Sequence, residues 1–466
     1  MQSSPNSSEG VSAALANAMS AARYTDLPLD VLADTSRAIL DWLGSALAGS
    51  IEQPARMAQR VVAGFGVSAD ATVFSAPRAS AAAAALANGV ASHILELDDV
   101  HKGSTLHAAA PVIPAALAVA EREHASGEAF LLAVALGYEA ALRVGEAVNP
   151  DHYRFFHPTG TAATFGAAAA AGSLLGLDAR QMSDALGTAG TQAAGLWEFN
   201  ADGAMSKHLH PGKAAMNGVL AADLAAAGFT GATRILEGER GFFRATTRSA
   251  DATRITEGLG SRWKIGENCY KMHSCCGHTH SAIDVALDLR AQAPIDKIAS
   301  IRIATYGSGY EIVKEPNPSS PYRGQFSIAY VVAAALAEGR VGLEQFTAER
   351  FGSAGVRDPA IASLLGKTTV TVAQDLTAKY PAAWPTRIEI ELTDGTVLRG
   401  AADFPRGNPE NPVTTHELEA KLTALVAPRF GPDVAQRAIE LVHSIASCRD
   451  MSTHFRDLLP AEAHVA

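Results

Sequence analysis

"TRIEIELTDGTVLRG", residues 386–400, alternates apolar and polar side chains on both sides of Asp394-Gly395. A period of two sends successive side chains to opposite faces of a strand. An Asp-Gly pair between two such runs supplies the positive φ of a tight hairpin turn. The stretch therefore predicts two antiparallel strands with one apolar face. Working outward, "KIASIRIATY" (297–306) and "KTTVTVAQDL" (367–376) read as further strands. Between them "QFSIAYVVAAALAEG" (325–339) reads as a helix ending at a glycine. Residues 268–404 are thus expected to form a small α/β domain. "FPRGNPENPVT" (404–414) is a linker by its Pro, Gly and Asn content.

On either side of this domain the texture is helical. "TDLPLDVLADTSRAILDWLGSALAGS" places Asp26 as a candidate N-cap and Pro28 in the first turn, with apolar residues recurring at three- and four-residue spacing. Helices are expected at about 79–94, 110–123, 127–147, 159–175, 179–195 and 212–227, with alanine on most faces. From His416 the chain returns to helices. The fold class expected is mainly α. A large all-helical domain is built from both chain ends, residues 1–267 and 405–466, with the smaller α/β lid inserted at 268–404.

The 466 residues carry a net charge of −10 and 18% charged residues. That balance argues against nucleic acid, since no basic field would collect phosphates. Four sparse cysteines suit a reducing compartment better than a disulfide framework. The N-terminal MQSSPNSSEG reads as a polar tail, not a signal peptide. No apolar run is long enough to suggest a membrane span, and a cytoplasmic location is expected. No dinucleotide fingerprint, phosphate-binding loop or nucleophile elbow is present. "CYKMHSCCGHTH" (269–280) packs cysteines and histidines together, but adjacent cysteines fit zinc geometry poorly. Asp98-Asp99 is read as structural rather than as a Mg²⁺ site.

Four polar clusters remain, and they hold most of the fifteen histidines. They are "ELDDVHKGSTLHAAAP" (96–111), "DHYRFFHPTGTAA" (151–163), "SKHLHPGKAA" (206–215) and "YKMHSCCGHTH" (270–280). Three lead toward expected helix N-termini, which favour anions. Each combines histidine with lysine, arginine or a carboxylate, and together they point to a site for a small polycarboxylate. Acid–base work is the natural chemistry. Removing a proton or a carboxylate next to a second carboxylate builds charge that lysine and protonated histidine stabilise. The outcome is then dehydration, epimerisation or decarboxylation.

At these motifs the chain resembles the MmgE/PrpD family over nearly its whole length. The resemblance rests on "HILELDDVHKGSTLHAAAPVIPAALAVAE", "HPTGTAATFGAAAAAGSLLGL", "SKHLHPGKAAMNGVLAADLAAAGFTGATRILEGERGFF" and "YKMHSCCGHTHSAIDVAL". It implies a helical domain with an inserted lid, a homodimer, and catalysis with neither metal nor organic cofactor. It implies site positions at Glu96, His107, His157, Lys207 and Lys271, with a lid tyrosine, Tyr322 or Tyr310. The catalytic set so implied is His107, His157, Lys271, Tyr322 and Glu96. Lys207, His210, Arg154 and His280 are expected to hold substrate carboxylates.

Family members that dehydrate or decarboxylate resemble one another in an Asp-Phe-Asp-Asp-Thr run. Here it is Glu96-Leu97-Asp98-Asp99-Val100. The lost hydroxyl and lengthened acid point to epimerisation of an amino- or imino-polycarboxylate such as iminodisuccinate. A 2-methylcitrate dehydratase-like hydro-lyase or a cis-aconitate-type decarboxylase is the alternative.

Overall fold

The computed structural model describes residues 10–66 and 68–459, so residues 1–9 of the polar N-terminal run lie outside the described residues. Contacts divide the chain into two compact units. One comprises residues up to 94, 98–268 and from 414 on; the other comprises 95–97 and 269–413. The boundaries expected at 267/268 and 404/405 compare with observed divisions at 268/269 and 413/414. The chain is mainly helical with small sheets.

The first unit is a stack of alanine-rich helices. Alanine loses no side-chain entropy in a helix and lets backbones approach. Helix Ala162–Leu174 is buried from Ala162 to Gly172, and Gly127–Val148 is buried over most of its length. Helices Ala81–His93 and Ser206–Ala226 meet where a Cβ on Gly89 would sit 2.7 Å from the Gly212 Cα. Only glycine allows that contact. The crossing sets His93 and His208, each about one turn away, on the same side of the bundle.

Two expected helix starts are corrected. Helix Leu29–Gly49 begins after Pro28, and Asp26 instead accepts a hydrogen bond from the Arg23 N–H at 2.9 Å in the preceding turn. Helix Ser206–Ala226 starts well before residue 212 and carries Pro211 inside it. Lys207, His208 and His210 therefore project from the helix rather than from a loop leading to it. Proline looks like a helix start because it lacks an N–H; here the helix runs on through it.

In the second unit, the four-stranded sheet has the order Thr368–Val372, Ile298–Thr305, Thr386–Leu392, Val397–Ala402. The first pair is parallel and the other two are antiparallel, with Ile301 opposite Thr368 and Ile390, and Ile390 opposite Leu398. The hairpin turns at Gly395, whose φ is 83°. Ile298, Ile301, Ile303, Ile388 and Ile390 are fully buried and pack with helices His280–Arg290 and Ile328–Glu338. All four cysteines are free thiols.

Candidate active site

The first unit gathers histidines from three motifs. His93 ends helix Ala81–His93, His107 closes the loop after it, and His157 precedes helix Ala162–Leu174. The His93 ring lies 4.8 Å from that of His107, 5.7 Å from His157 and 6.3 Å from His208, centroid to centroid. His93, His107 and His157 each present a ring nitrogen within 4.8 Å of the others. Burial, reinforced by His210, His93, Lys207 and His107, holds His157 well below the usual imidazole range. A group so placed is neutral at physiological pH.

Two aspartates in the loop play different parts. Asp99 is a strut: it accepts hydrogen bonds from the Tyr138 hydroxyl at 2.6 Å, the Asn268 amide at 2.8 Å and the Ala109 N–H at 3.1 Å. Burial nevertheless pushes its carboxyl up to about 7. Asp98 faces two histidines. Its carboxylate lies 2.6 Å from His93 Nδ1 and 3.5 Å from His107 Nδ1. His107 Nδ1 also lies 2.6 Å from the Asp99 carbonyl, which can only accept. His107 therefore carries its proton on Nδ1.

Helix Ser206–Ala226 adds Lys207 and His208, both buried, and His210. His210 Nδ1 lies 3.0 Å from His157 Nδ1, so one ring donates and the other accepts. Burial lowers His210 to about 4, with Lys213, His93 and Lys207 adding to it. Lys213 donates to the carbonyls of Ala194, Gln192 and Gly160 at 2.7, 3.2 and 3.3 Å. Those carbonyls flank Gly195, which accepts from the His157 N–H at 3.0 Å. Lys213 thus braces the loops around His157.

The second unit contains the other implied pair. Lys271 Nζ lies 3.3 Å from the Glu96 carboxylate, and both side chains are about 2% exposed. Glu96 adopts a left-handed backbone with φ of 56°. That conformation costs about 1–3 kcal/mol in a non-glycine residue and persists where contacts over-determine it. Cys275 is pushed up to about 12 by burial, so it is no thiolate. His278 Nδ1 lies 2.5 Å from the Tyr306 hydroxyl, and burial lowers His278 to about 4.

The remaining expected positions scatter. His280 starts helix His280–Arg290, with Nε2 3.3 Å from the Cys275 carbonyl. Tyr322 stacks on Phe326 at 4.8 Å, and Tyr310 faces Lys314. Arg154 lies apart from the others: its side chain is 57% exposed, pairs with Asp151 at 3.6 Å and covers Phe155. So His107, His157, Lys207 and His210 come together in the first unit, and Glu96 and Lys271 in the second. His93, Asp98 and His208 complete the first group; the motif reading gives Asp98 a structural part and the two histidines none. A histidine closing an otherwise small and apolar helix, "AAAAALANGVASH", is the signal that could have found His93.

Two groupings have donors that could hold a cation: the three histidines above, and His101 with Glu146 and Glu267. Lys207 bears on His157 and His210 in the first and opposes a cation there. Lys264 Nζ already lies 2.9 Å from Glu146 and 3.3 Å from Glu267 in the second.

These motifs and this fold define a family of enzymes. Residues 13–255 match the MmgE/PrpD N-terminal domain and residues 273–447 the MmgE/PrpD C-terminal domain. The chain belongs to the MmgE/PrpD family. It is 29% identical to the cis-aconitate decarboxylase-like protein oryM of Aspergillus oryzae, over 95% of this chain and 96% of that one. It is 28% identical to cis-aconitate decarboxylase of Aspergillus terreus, over 86% of each chain. It is also 28% identical to the Homo sapiens cis-aconitate decarboxylase, over 91% and 89%. Among the described residues no helix is long and apolar enough to cross a membrane.

Proposed function

We propose that this enzyme decarboxylates a small unsaturated polycarboxylate of the cis-aconitate type, by acid–base chemistry of its side chains. One observation carries the reading: buried imidazoles gathered around the Asp98 carboxylate, with His107 the partly exposed ring beside it. Loss of CO₂ leaves an electron pair next to the remaining carboxylates, and that pair then takes a proton at carbon. His107 would supply the proton. Lys207 would hold a carboxylate and stabilise the charge that develops, an effect strengthened by low local polarity. The decarboxylase names of the relatives favour this over epimerisation.

A second reading, epimerisation of an amino- or imino-polycarboxylate such as iminodisuccinate, draws on Val100, which is buried and offers no hydroxyl. Both use the same proton-transfer groups. The test is incubation with cis-aconitate in deuterated water. Release of CO₂ with one deuterium in the unsaturated dicarboxylate product supports decarboxylation. Deuterium exchange into an amino- or imino-dicarboxylate without CO₂, and no turnover of cis-aconitate, supports epimerisation instead. The enzyme is proposed to act as a homodimer, which sedimentation of the full chain would test.

A further inference from the structure

Asp98 sits where a structural carboxylate and a functional one can be told apart. It is fully buried, and its Oδ2 lies 2.6 Å from His93 Nδ1. His93 is fully buried too, and among the described residues its Nε2 is buried with no hydrogen-bond partner. An ionised carboxylate only accepts, so His93 carries a proton on Nδ1. His93 thus pins Asp98 from one side. On the other side, His107 Nδ1 is 3.5 Å from the same oxygen, while its main acceptor is the Asp99 carbonyl at 2.6 Å. His107 is the partly exposed member of the pair; His93 is not exposed at all.

We propose that Asp98, clamped by His93, is the positioning residue of this site: it adds its charge beside the Nδ1–H of His107, which the Asp99 carbonyl already holds, and stabilises the imidazolium formed there. The arrangement is that of an imidazole oriented by a buried carboxylate, with its other nitrogen left for chemistry. His157 contrasts with it. Its Nδ1 faces another imidazole, that of His210, and no carboxylate offsets its burial. A protonated histidine is therefore far easier to hold at His107 than at His157. The other charged or titratable groups around the pair are Asp99, Lys207, His208 and His210. Lys207 opposes a second positive charge and Asp98 supplies the balancing negative one.

The inference rests on the decarboxylation proposed above. There, the bond from carbon to the departing carboxylate breaks and its electron pair stays on carbon. CO₂ leaves, and a new C–H bond forms with the proton of His107 Nε2–H. The ring becomes neutral, keeping its Nδ1–H on the Asp99 carbonyl and Asp98. Asp98 stays ionised throughout, and water returns a proton to His107 before the next turnover.

The test uses the full chain and three measurements. Nitrogen-15 NMR of histidine-labelled, substrate-free enzyme reads tautomers directly; His93 and His107 should both be Nδ1–H. Asp98→Asn should lower kcat by about 10²–10⁴-fold, with KM changed by less than about threefold. It should also move the basic limb of the kcat–pH profile to lower pH, because the imidazolium loses its counter-charge. His93→Asn keeps a side-chain N–H to hold Asp98 and should lose much less. An Nε2–H tautomer at His107 in the wild type overturns the proposal, whether or not the variants fold. So does an Asp98→Asn enzyme with an unmoved pH limb, even if it is less stable. If cis-aconitate is not turned over, the pH at which the His107 nitrogen-15 signals titrate, lower in Asp98→Asn than in the wild type if the proposal holds and equal if it fails, still decides the role of Asp98 separately from the choice of substrate.

Discussion

The loop that follows helix Ala81–His93 feeds two histidine clusters, and they are opposites. On one side His101 lies 3.8 Å from Glu146 and 3.6 Å from Glu267, and Lys264 bridges both carboxylates. Every charge there has a counter-charge. On the other side His93, His107, His157, His208 and His210 crowd around one carboxylate, Asp98, with Lys207 alongside. That cluster is short of negative charge. Saturated ion clusters hold a loop in place, whereas an imbalance of this kind leaves room for an anionic substrate. The comparison separates structure from function more sharply than histidine content does.

The largest effect expected breaks the second cluster chemically. His107→Ala should lower kcat by about 10³-fold, the range of a lost proton-transfer group, while the melting temperature changes little. Steady-state kinetics beside calorimetry checks this. Next comes the first cluster. Lys264→Met leaves two partly buried carboxylates facing each other and should cost about 3 kcal/mol, read as a lower denaturant midpoint. Its kcat should stay within about twofold, since Lys264 only anchors.

The two clusters should also fail in different pH windows. His210 is held at about 4, below its unfolded value near 6.5. Between those values the unfolded chain binds a proton that the native one refuses, so stability falls as pH drops from 6.5 to 4. The slope is at most about 1.4 kcal/mol per pH unit for that group. Glu267 behaves differently. Burial works against its charge, but His101, Lys264 and Arg262 hold it down at about 2. Its contribution is present above about 4.5 and is lost as pH falls from there toward 2. That loss should be smaller, because Glu267 is partly exposed and screened. Chemical denaturation across pH should show a shallower slope between 6.5 and 4 in His210→Gln, with His157 and His278 keeping the rest of that window, and a shallower slope below 4.5 in Glu267→Gln. A single shared window would erase the contrast drawn here. The smallest effect belongs to Arg154→Ala. With the guanidinium on the surface beside Asp151, stability should move by less than about 0.5 kcal/mol and KM by less than about twofold.

The polar groups that the structure gathers were legible because the motifs are contiguous. His107, His157, Lys207 and Lys271 each stand out as polar groups beside small apolar helices. Arg154 shares a motif with His157, yet neighbours in a turn point different ways, and its side chain is exposed beside Asp151. His93 and Asp98 escaped assignment because their roles depend on each other. Alone, one is a buried histidine and the other a loop carboxylate.

Local pattern alone determined the alanine-rich helices, the Asp394-Gly395 hairpin and the inserted α/β segment, since each depends on residues within a few positions of one another. Only the tertiary structure decided which histidines can be charged. His157 meets His210 across 53 residues, where a Cβ on Gly160 would sit 3.1 Å from the His210 Cβ and only glycine lets the two segments approach so closely. The protonation of a buried imidazole follows the partner that packing delivers, a carboxylate for His107 and another imidazole for His157.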